Sequence, residues 1–202
     1  MAAGSGQTEK VKLFLENGQI DVNHILDSTD HPNNGHTALT LASMNGHNDV
    51  VELLLKNEKI DVNQRGGIDD GKKWTALSFA SDQGNRAIVE LILAKDGVDV
   101  NKGDINGWTA LMSAVNNGHI EIVKLLLNHG EVDVNKRTND GGTALMWAKN
   151  TDIAKLILDN RGIERSTIEQ GCIRGEEAQV KELICQHLTP GKNSDAFNSL
   201  FY

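Results

Sequence analysis

Apolar residues in this chain recur in short stripes that are typical of short amphipathic helices. Between residues 37 and 57 two stripes follow one another, and the polar tripeptide at 45–47 separates them. Thr37 suits an N-cap, because its hydroxyl can accept from a free amide of the first turn, and Gly46 suits the left-handed position that ends a helix. The pattern predicts two short helices joined by a tight turn. The stripes are Ala38, Leu39, Leu41 and Ala42, then Val50, Val51, Leu53, Leu54 and Leu55.

This two-helix pattern returns at regular intervals, and it is the strongest signal in the sequence. Each of the first three Thr-Ala-Leu tripeptides lies 24 residues before the next Asp-Val-Asn. Two short helices cannot bury their apolar faces alone, so neighbouring units must stack. The connectors vary in length, as the loops of a solenoid do. Thr-Ala-Leu begins at Thr37, Thr75, Thr109 and Thr143, and Asp-Val-Asn begins at Asp21, Asp61, Asp99 and Asp133.

The segments GHTALTLASMNGHNDVVELLLKNEKIDVN and GWTALMSAVNNGHIEIVKLLLNHGEVDVN resemble ankyrin repeats. That family has a turn, a Thr-Pro-Leu-His helix start, Gly-His between the helices and a leucine-rich second helix. In this chain Ala, a good helix former, replaces the usual Pro, and Thr, Ser or Met replaces the usual His. The resemblance implies an all-α repeat solenoid, an ankyrin-type stack of helix-turn-helix units with β-hairpin-like connecting loops. The replacements are Ala38, Ala76, Ala110 and Ala144, and Thr40, Ser78, Met112 and Met146.

The repeat predicts about six units over residues 1–188, including two atypical terminal caps. The first unit is expected to have a truncated opening helix. The fifth lacks three residues between its helices and is expected to be the weakest part of the array. An aromatic-ended tail over 189–202 is expected to cap the last unit, with docking into a partner as the alternative. The approximate units are 1–30, 31–69, 70–103, 104–137, 138–165 and 166–188.

The ankyrin resemblance implies a binding surface on the concave face, made of hairpin tips and first helices. Trp74 and Trp108 hold the same position in consecutive units, so we expect them side by side, about 10 Å apart. Tryptophan is a common interaction hot spot, although each ring could instead cover its own hairpin. Trp147 falls on an apolar stripe and is predicted to be core. The candidate partner-binding residues are His36, Met44, Asn45, Lys72, Lys73, Trp74, Asp82, Gln83, Ile105, Asn106, Trp108, Asn116 and Asn117.

The motif Leu-x5-Asp-Val-Asn occurs four times and ends at an asparagine each time. It resembles the site at which asparaginyl hydroxylase modifies ankyrin proteins. The structural interpretation is that each asparagine bonds turn backbone, and modification would be additional. The four candidates are Asn23, Asn63, Asn101 and Asn135.

Net charge, hydrophobicity and cysteine content restrict the kinds of partner and the compartment that are expected. The net charge of -8, from 28 acidic and 20 basic residues, argues against nucleic acid as the partner. No apolar run reaches the roughly 18 residues of a membrane span, and residues 1–10 do not resemble a signal peptide. Cys172 and Cys185 are expected to be free thiols in a reducing compartment, which favours the cytosol of the cell itself or of a host.

The sequence contains no phosphate-binding loop, paired metal-ligand spacing or nucleophile elbow, so neither an enzyme nor a cofactor is expected. Together these features predict a monomeric, non-enzymatic scaffold that binds one or more proteins through its concave face. The alternative is an adaptor or inhibitor of a specific enzyme, including a microbial protein that acts on host proteins.

Overall fold

A computed structural model describes residues 2–18, 20–26, 35–67, 73–175 and 177–188. In these ranges the chain forms ten α-helices and one 3-10 helix, η1, without any β-strand. The tail at 189–202 lies outside the described residues. The helices are α1 (Thr8–Glu16), α2 (Ala38–Met44), α3 (Asn48–Leu55), α4 (Ala76–Asp82), α5 (Arg86–Leu93), α6 (Ala110–Asn116), α7 (Ile120–Asn128), η1 (Ala144–Trp147), α8 (Thr151–Leu158), α9 (Arg165–Arg174) and α10 (Ala178–Leu188).

The helices stack in two layers. The first helix of each pair contacts the first helix of the next pair, in the order α2, α4, α6, η1 and α9. The second helices α3, α5, α7, α8 and α10 form the other layer, with α1 packed against α3. This arrangement confirms the all-α solenoid. None of the helices in the described part of the chain is long and apolar enough to cross a membrane.

The core is built by the repeat itself. Each of four successive second helices contributes residues at i, i+1 and i+4, which lie on one helical face. These side chains are at most 2% exposed, so every pair buries its stripe against its neighbours. They are Val50, Val51 and Leu54, Ile88, Val89 and Ile92, Ile122, Val123 and Leu126, and Ile153, Ala154 and Ile157.

Threonine caps and glycine turns set the ends of the helices. The hydroxyl of Thr37 accepts from the backbone N–H of Thr40, and Thr75 and Thr109 cap α4 and α6 in the same way. Gly46 has a φ of 73°, which glycine adopts at little cost. Antiparallel bridges join Gly66 to Trp74 and Arg137 to Thr143, which confirms hairpin-like connecting loops.

The first and fifth pairs are less regular than the central ones. Residues 2–6 form turns rather than a helix before α1. In the fifth pair the first helix shrinks to the four residues of η1, because the chain is three residues shorter there. The terminal pair α9 and α10 continues the stack with fewer fully buried side chains.

The asparagine of each Asp-Val-Asn motif bonds backbone, but the backbone belongs to the following unit. The side chain of Asn101 donates to the carbonyl of Glu131 and accepts from the N–H of Asp133, both at 2.7 Å. The same pair of bonds recurs along the stack and ties each connecting turn to the next. The others join Asn23 to Lys59 and Asp61, Asn63 to Gly97 and Asp99, and Asn135 to Gly162 and Glu164.

We expect Asn101→Ala to lower the free energy of unfolding by about 1–2 kcal/mol, since it removes two hydrogen bonds between units. Urea denaturation measures the loss. Asn128→Ala is the matched control, because Asn128 is exposed at the end of α7. Equal stability of the two variants would show that the asparagine bonds do not hold neighbouring units together.

The expectation of free thiols is wrong. Cys172 on α9 and Cys185 on α10 form a disulfide, with their Cα atoms 5.0 Å apart. Packing of α9 against α10 returns the chain to the same level after 13 residues, and this places both cysteines within disulfide range. The number of cysteines alone does not predict this bond, because it depends on how two helices of a hairpin pack.

Candidate functional site

Most of the predicted binding residues share one surface, formed by the connecting loops and the ends of the first helices. We call it the first-helix face. Each of its described members is exposed or half-buried, whereas Lys72 lies outside the described residues. The repeat brings these side chains together by placing equivalent positions in register. The described members are Met44, Asn45, Lys73, Trp74, Asp82, Gln83, Ile105, Asn106, Trp108, Asn116 and Asn117.

His36 does not belong to this displayed surface, although it precedes its threonine as Trp74 and Trp108 do. Its side chain is 2% exposed, and its ring lies 5.3 Å from the ring of Phe79. The next connecting loop covers it, since Gly67 lies against the imidazole. His36 is therefore not available to a partner on the first-helix face.

A cleft of about 310 Å³ lies between consecutive repeats on the first-helix face. Trp74 and Trp108 both line it. Four polar residues complete the lining: Asp82, Asp104, Asn106 and Asn116. Of these, Asp104 was not among the residues predicted from the sequence.

The cleft is open because one first helix carries a small side chain where its neighbours carry a ring. Four residues after the helix-start threonine, α4 has Phe79 and η1 has Trp147, but α6 has Ser113. The Trp147 ring lies 4.4 Å from that of Trp108 and fills the space there. Ser113 has no ring, and its hydroxyl accepts a hydrogen bond from the Trp108 indole N–H at 2.9 Å. The small serine therefore leaves the space between Trp74 and Trp108 unfilled.

Trp147 is a half-buried member of the aromatic surface and not a fully buried core residue. The core prediction was incomplete, because the ring packs against the core on one side and on Trp108 on the other. Gly142 explains the placement. It holds the position of Trp74 and Trp108 in the fifth unit, and its missing side chain leaves room for the ring. In the sequence, the glycine that stands directly before Thr143, where the other units have a ring, indicates room for the Trp147 side chain.

We expect Gly142→Ala to destabilise the protein by about 1–3 kcal/mol, as overpacking does, and to displace the Trp147 ring. A Cβ at Gly142 would overlap the Trp147 indole. Near-ultraviolet circular dichroism and urea denaturation measure the two effects. Gly130→Ala is the matched control, because a Cβ there meets nothing within 4 Å. An unchanged aromatic spectrum in Gly142→Ala would contradict this packing.

The cleft is acidic as well as aromatic. One oxygen of Asp104 accepts from the backbone N–H groups of Asn106 and Trp108, both at 2.8 Å. Its second oxygen has no hydrogen-bond partner, although the residue is only 3% exposed. Asp82 is half-buried and accepts from the Asn117 amide at 2.8 Å. Among the described residues that line the cleft there is neither a lysine nor an arginine.

The turn that holds Gly142 has its own electrostatic feature. The hydroxyl of Thr138 donates to the Asp140 carboxylate and keeps the pKa of Asp140 below its ordinary value. The N–H of Gly142 and the charge of Arg174 lower that pKa further. A depressed folded pKa contributes stability above the unfolded pKa, and that contribution is lost as pH falls through the folded value.

The cleft is lined by aromatic, acidic and amide side chains. In the described ranges no group of three or more His, Cys, Asp or Glu side chains is placed to hold a metal ion. The lining offers two indoles, two carboxylates and two carboxamides. Indoles can stack on a ligand, carboxylates can accept hydrogen bonds and attract cations, and carboxamides can both donate and accept.

Comparison of the sequence with models of known protein families supports the repeat architecture. The family model described as ankyrin repeats (3 copies) matches residues 1–104 and, again, residues 97–167. A search of curated proteins found no significant match. The matched residues cover well over half of the chain, and they carry the capped first helices, the leucine-rich second helices and the hairpin-like loops. The chain belongs to the ankyrin repeat family.

Proposed function

We propose that this chain is a non-enzymatic scaffold that binds a partner protein through its first-helix face, which lines the concave side in ankyrin proteins. Ankyrin repeats generally mediate protein–protein interaction, and the proposal assigns that role to particular side chains of this chain. The observation that carries it is the cleft between Trp74 and Trp108. Half-buried tryptophans beside a cleft are the side chains that most often dominate binding energy.

The surroundings of the two indoles support this role. Trp108 is held by its hydrogen bond to Ser113 and by the ring of Trp147, and Trp74 lies 5.4 Å from the ring of Phe79. Side chains that are already fixed lose little conformational entropy when a partner binds. Each ring therefore shields its own repeat on one side and remains available to a partner on the other.

We expect Trp108→Ala to weaken partner binding about 30-fold, the effect of losing a hot spot worth about 2 kcal/mol. Proteins captured from a cell extract by the unsubstituted chain are identified first. The affinity of each is then measured by calorimetry against the unsubstituted chain, Trp74→Ala and Trp108→Ala. An adaptor or enzyme inhibitor would use the same face, and a change in the rate of a captured enzyme would identify that narrower role.

Phe14→Ala is the matched control for these variants. Phe14 is an aromatic residue that is 51% exposed, but it lies on α1, outside the first-helix face. The proposal requires Phe14→Ala to bind as the unsubstituted chain does. A partner that tolerates both tryptophan substitutions but is lost with Phe14→Ala would place the binding surface elsewhere.

We also propose that the four ladder asparagines, Asn23, Asn63, Asn101 and Asn135, can accept hydroxylation at Cβ. Their amide nitrogen and oxygen both bond the next unit, and a hydroxyl on Cβ leaves those two atoms in place. Treatment with asparaginyl hydroxylase in the presence of O2 and its co-substrate 2-oxoglutarate, which takes up the second oxygen atom, is expected to add one oxygen atom at Cβ, as measured by peptide mass spectrometry. Unmodified peptides at all four positions would refute the proposal.

A further inference from the structure

We propose that the cleft between Trp74 and Trp108 takes a positively charged side chain, lysine or arginine, of the partner protein. This inference rests on the proposed function, because it names the chemistry that the first-helix face recognises. Three features of the cleft carry it: an incompletely bonded buried carboxylate, a second carboxylate among described lining residues that include no basic one, and two indoles.

The Asp104 carboxylate is the first of these features. Its two backbone hydrogen bonds both go to one oxygen, and the other oxygen has no partner. The residue is 97% buried, since only 3% of it is exposed, so water does little to screen its charge. Leaving a buried charged group short of hydrogen bonds is costly, and a nearby cation reduces that cost.

The described lysine and arginine residues near the cleft are not part of its lining. Asp82 adds a second carboxylate to the lining. Arg65 approaches this region, but its Nε donates to the backbone carbonyl of Gly103 at 2.8 Å and Arg65 does not line the cleft. Lys73 is exposed beside Trp74 and is also not part of the lining. The described part of the lining therefore carries two carboxylates and no lysine or arginine.

The indoles of Trp74 and Trp108 make the walls suitable for a cation. Indole is the best of the natural side chains for cation–π attraction, which increases when the cation is taken out of water. A cleft of about 310 Å³ is large enough to hold one such side chain. An apolar side chain would fill the same space but would leave the second oxygen of Asp104 without a partner.

The direct test uses small probes on the full chain. The Nα-acetyl methylamides of arginine, lysine and citrulline are titrated, and the indole N–H signals of Trp74 and Trp108 are followed by nuclear magnetic resonance. Citrulline has nearly the shape of arginine but no charge. We expect both cationic probes to shift both signals and to bind about fivefold more tightly than the citrulline probe, as a cation–π contact predicts. Equal binding of arginine and citrulline would overturn the inference.

Asp104→Asn separates charge from structure. The asparagine oxygen can still accept from the N–H groups of Asn106 and Trp108, so the turn is retained while the charge is lost. We expect this variant to bind the arginine probe about fivefold more weakly. The matched control Asp96→Asn removes an exposed carboxylate in the turn after α5 and should leave binding unchanged. If Asp104→Asn does not fold, Asp82→Asn provides the same test, and unchanged binding in a folded variant contradicts the inference.

The two proposals fail in different ways. If the tryptophan variants lose the captured partner but the probes do not discriminate charge, the cation inference is wrong and the scaffold function stands. If the partner is indifferent to Trp74→Ala and Trp108→Ala, the proposed binding face is wrong, and the assignment of a partner side chain to the cleft falls with it.

Discussion

Replacing Leu126 with alanine is expected to lower the free energy of unfolding by about 2–5 kcal/mol, the usual cost of emptying a leucine site in a packed core. Leu126 is 0% exposed and lies on α7, which packs against α5, α6 and α8. The cavity therefore opens at the centre of the stack, where relaxation from either end is limited.

The effect should spread beyond the substituted helix. Each unit of a solenoid is stabilised mainly by its neighbours, so a weakened fourth unit also weakens the contacts of the third and fifth. Trp108 belongs to that unit, and partner affinity should fall together with stability. Urea denaturation gives the size of the loss. Leu125→Ala is the matched control on the same helix, and its half-buried side chain should cost less. If Leu125→Ala cost as much as Leu126→Ala, the described core face of α7 would be wrong.

Reduction of the Cys172–Cys185 disulfide is expected to destabilise the terminal helix pair by about 3 kcal/mol, the chain-entropy estimate for a loop of this length. The loss should be local, because only α9 and α10 are joined by this bond. Hydrogen exchange with and without reductant should therefore change over 165–188 and not over 38–128. The loss of a covalent constraint at one end need not disturb the central units.

The double variant Cys172→Ala, Cys185→Ala is the control for reduction. It cannot form the bond, so its exchange pattern should be insensitive to reductant and should match that of the reduced chain. Two reactive thiols in the unreduced, denatured chain would contradict the disulfide assignment itself.

The fold was predictable because the same sequence pattern occurs in several successive units. A threonine cap, a glycine turn and buried residues at i, i+1 and i+4 recur in register, and together they determine both helices of a pair and the surface that each must bury. The short first helix of the fifth pair also follows from the sequence, since the chain is three residues shorter there. In these elements, local preference and packing agree.

The cleft was harder to predict, because it depends on differences between repeats. Ser113 opens it by being small where Phe79 and Trp147 are large. Gly142 places Trp147 on the surface by having no side chain at all. The family pattern at a single position does not encode which side chain of one unit fills the space beside the next.

Two further features depend on contacts that no local pattern encodes. The disulfide forms because two helices pack at one level, and the burial of His36 depends on the connecting loop of the next unit, which brings Gly67 against its ring. The open oxygen of Asp104 is likewise a property of the folded turn, since its other oxygen takes both backbone hydrogen bonds.

The central claim is that a rigid stack presents its first-helix face to a partner protein. Amide hydrogen exchange of the full chain, with and without a captured partner, tests it most directly. We predict new protection over 73–83 and 104–117, with the second helices α3, α5 and α7 unchanged. Protection confined to α3, α5 and α7, with the two tryptophan regions unchanged, would contradict it.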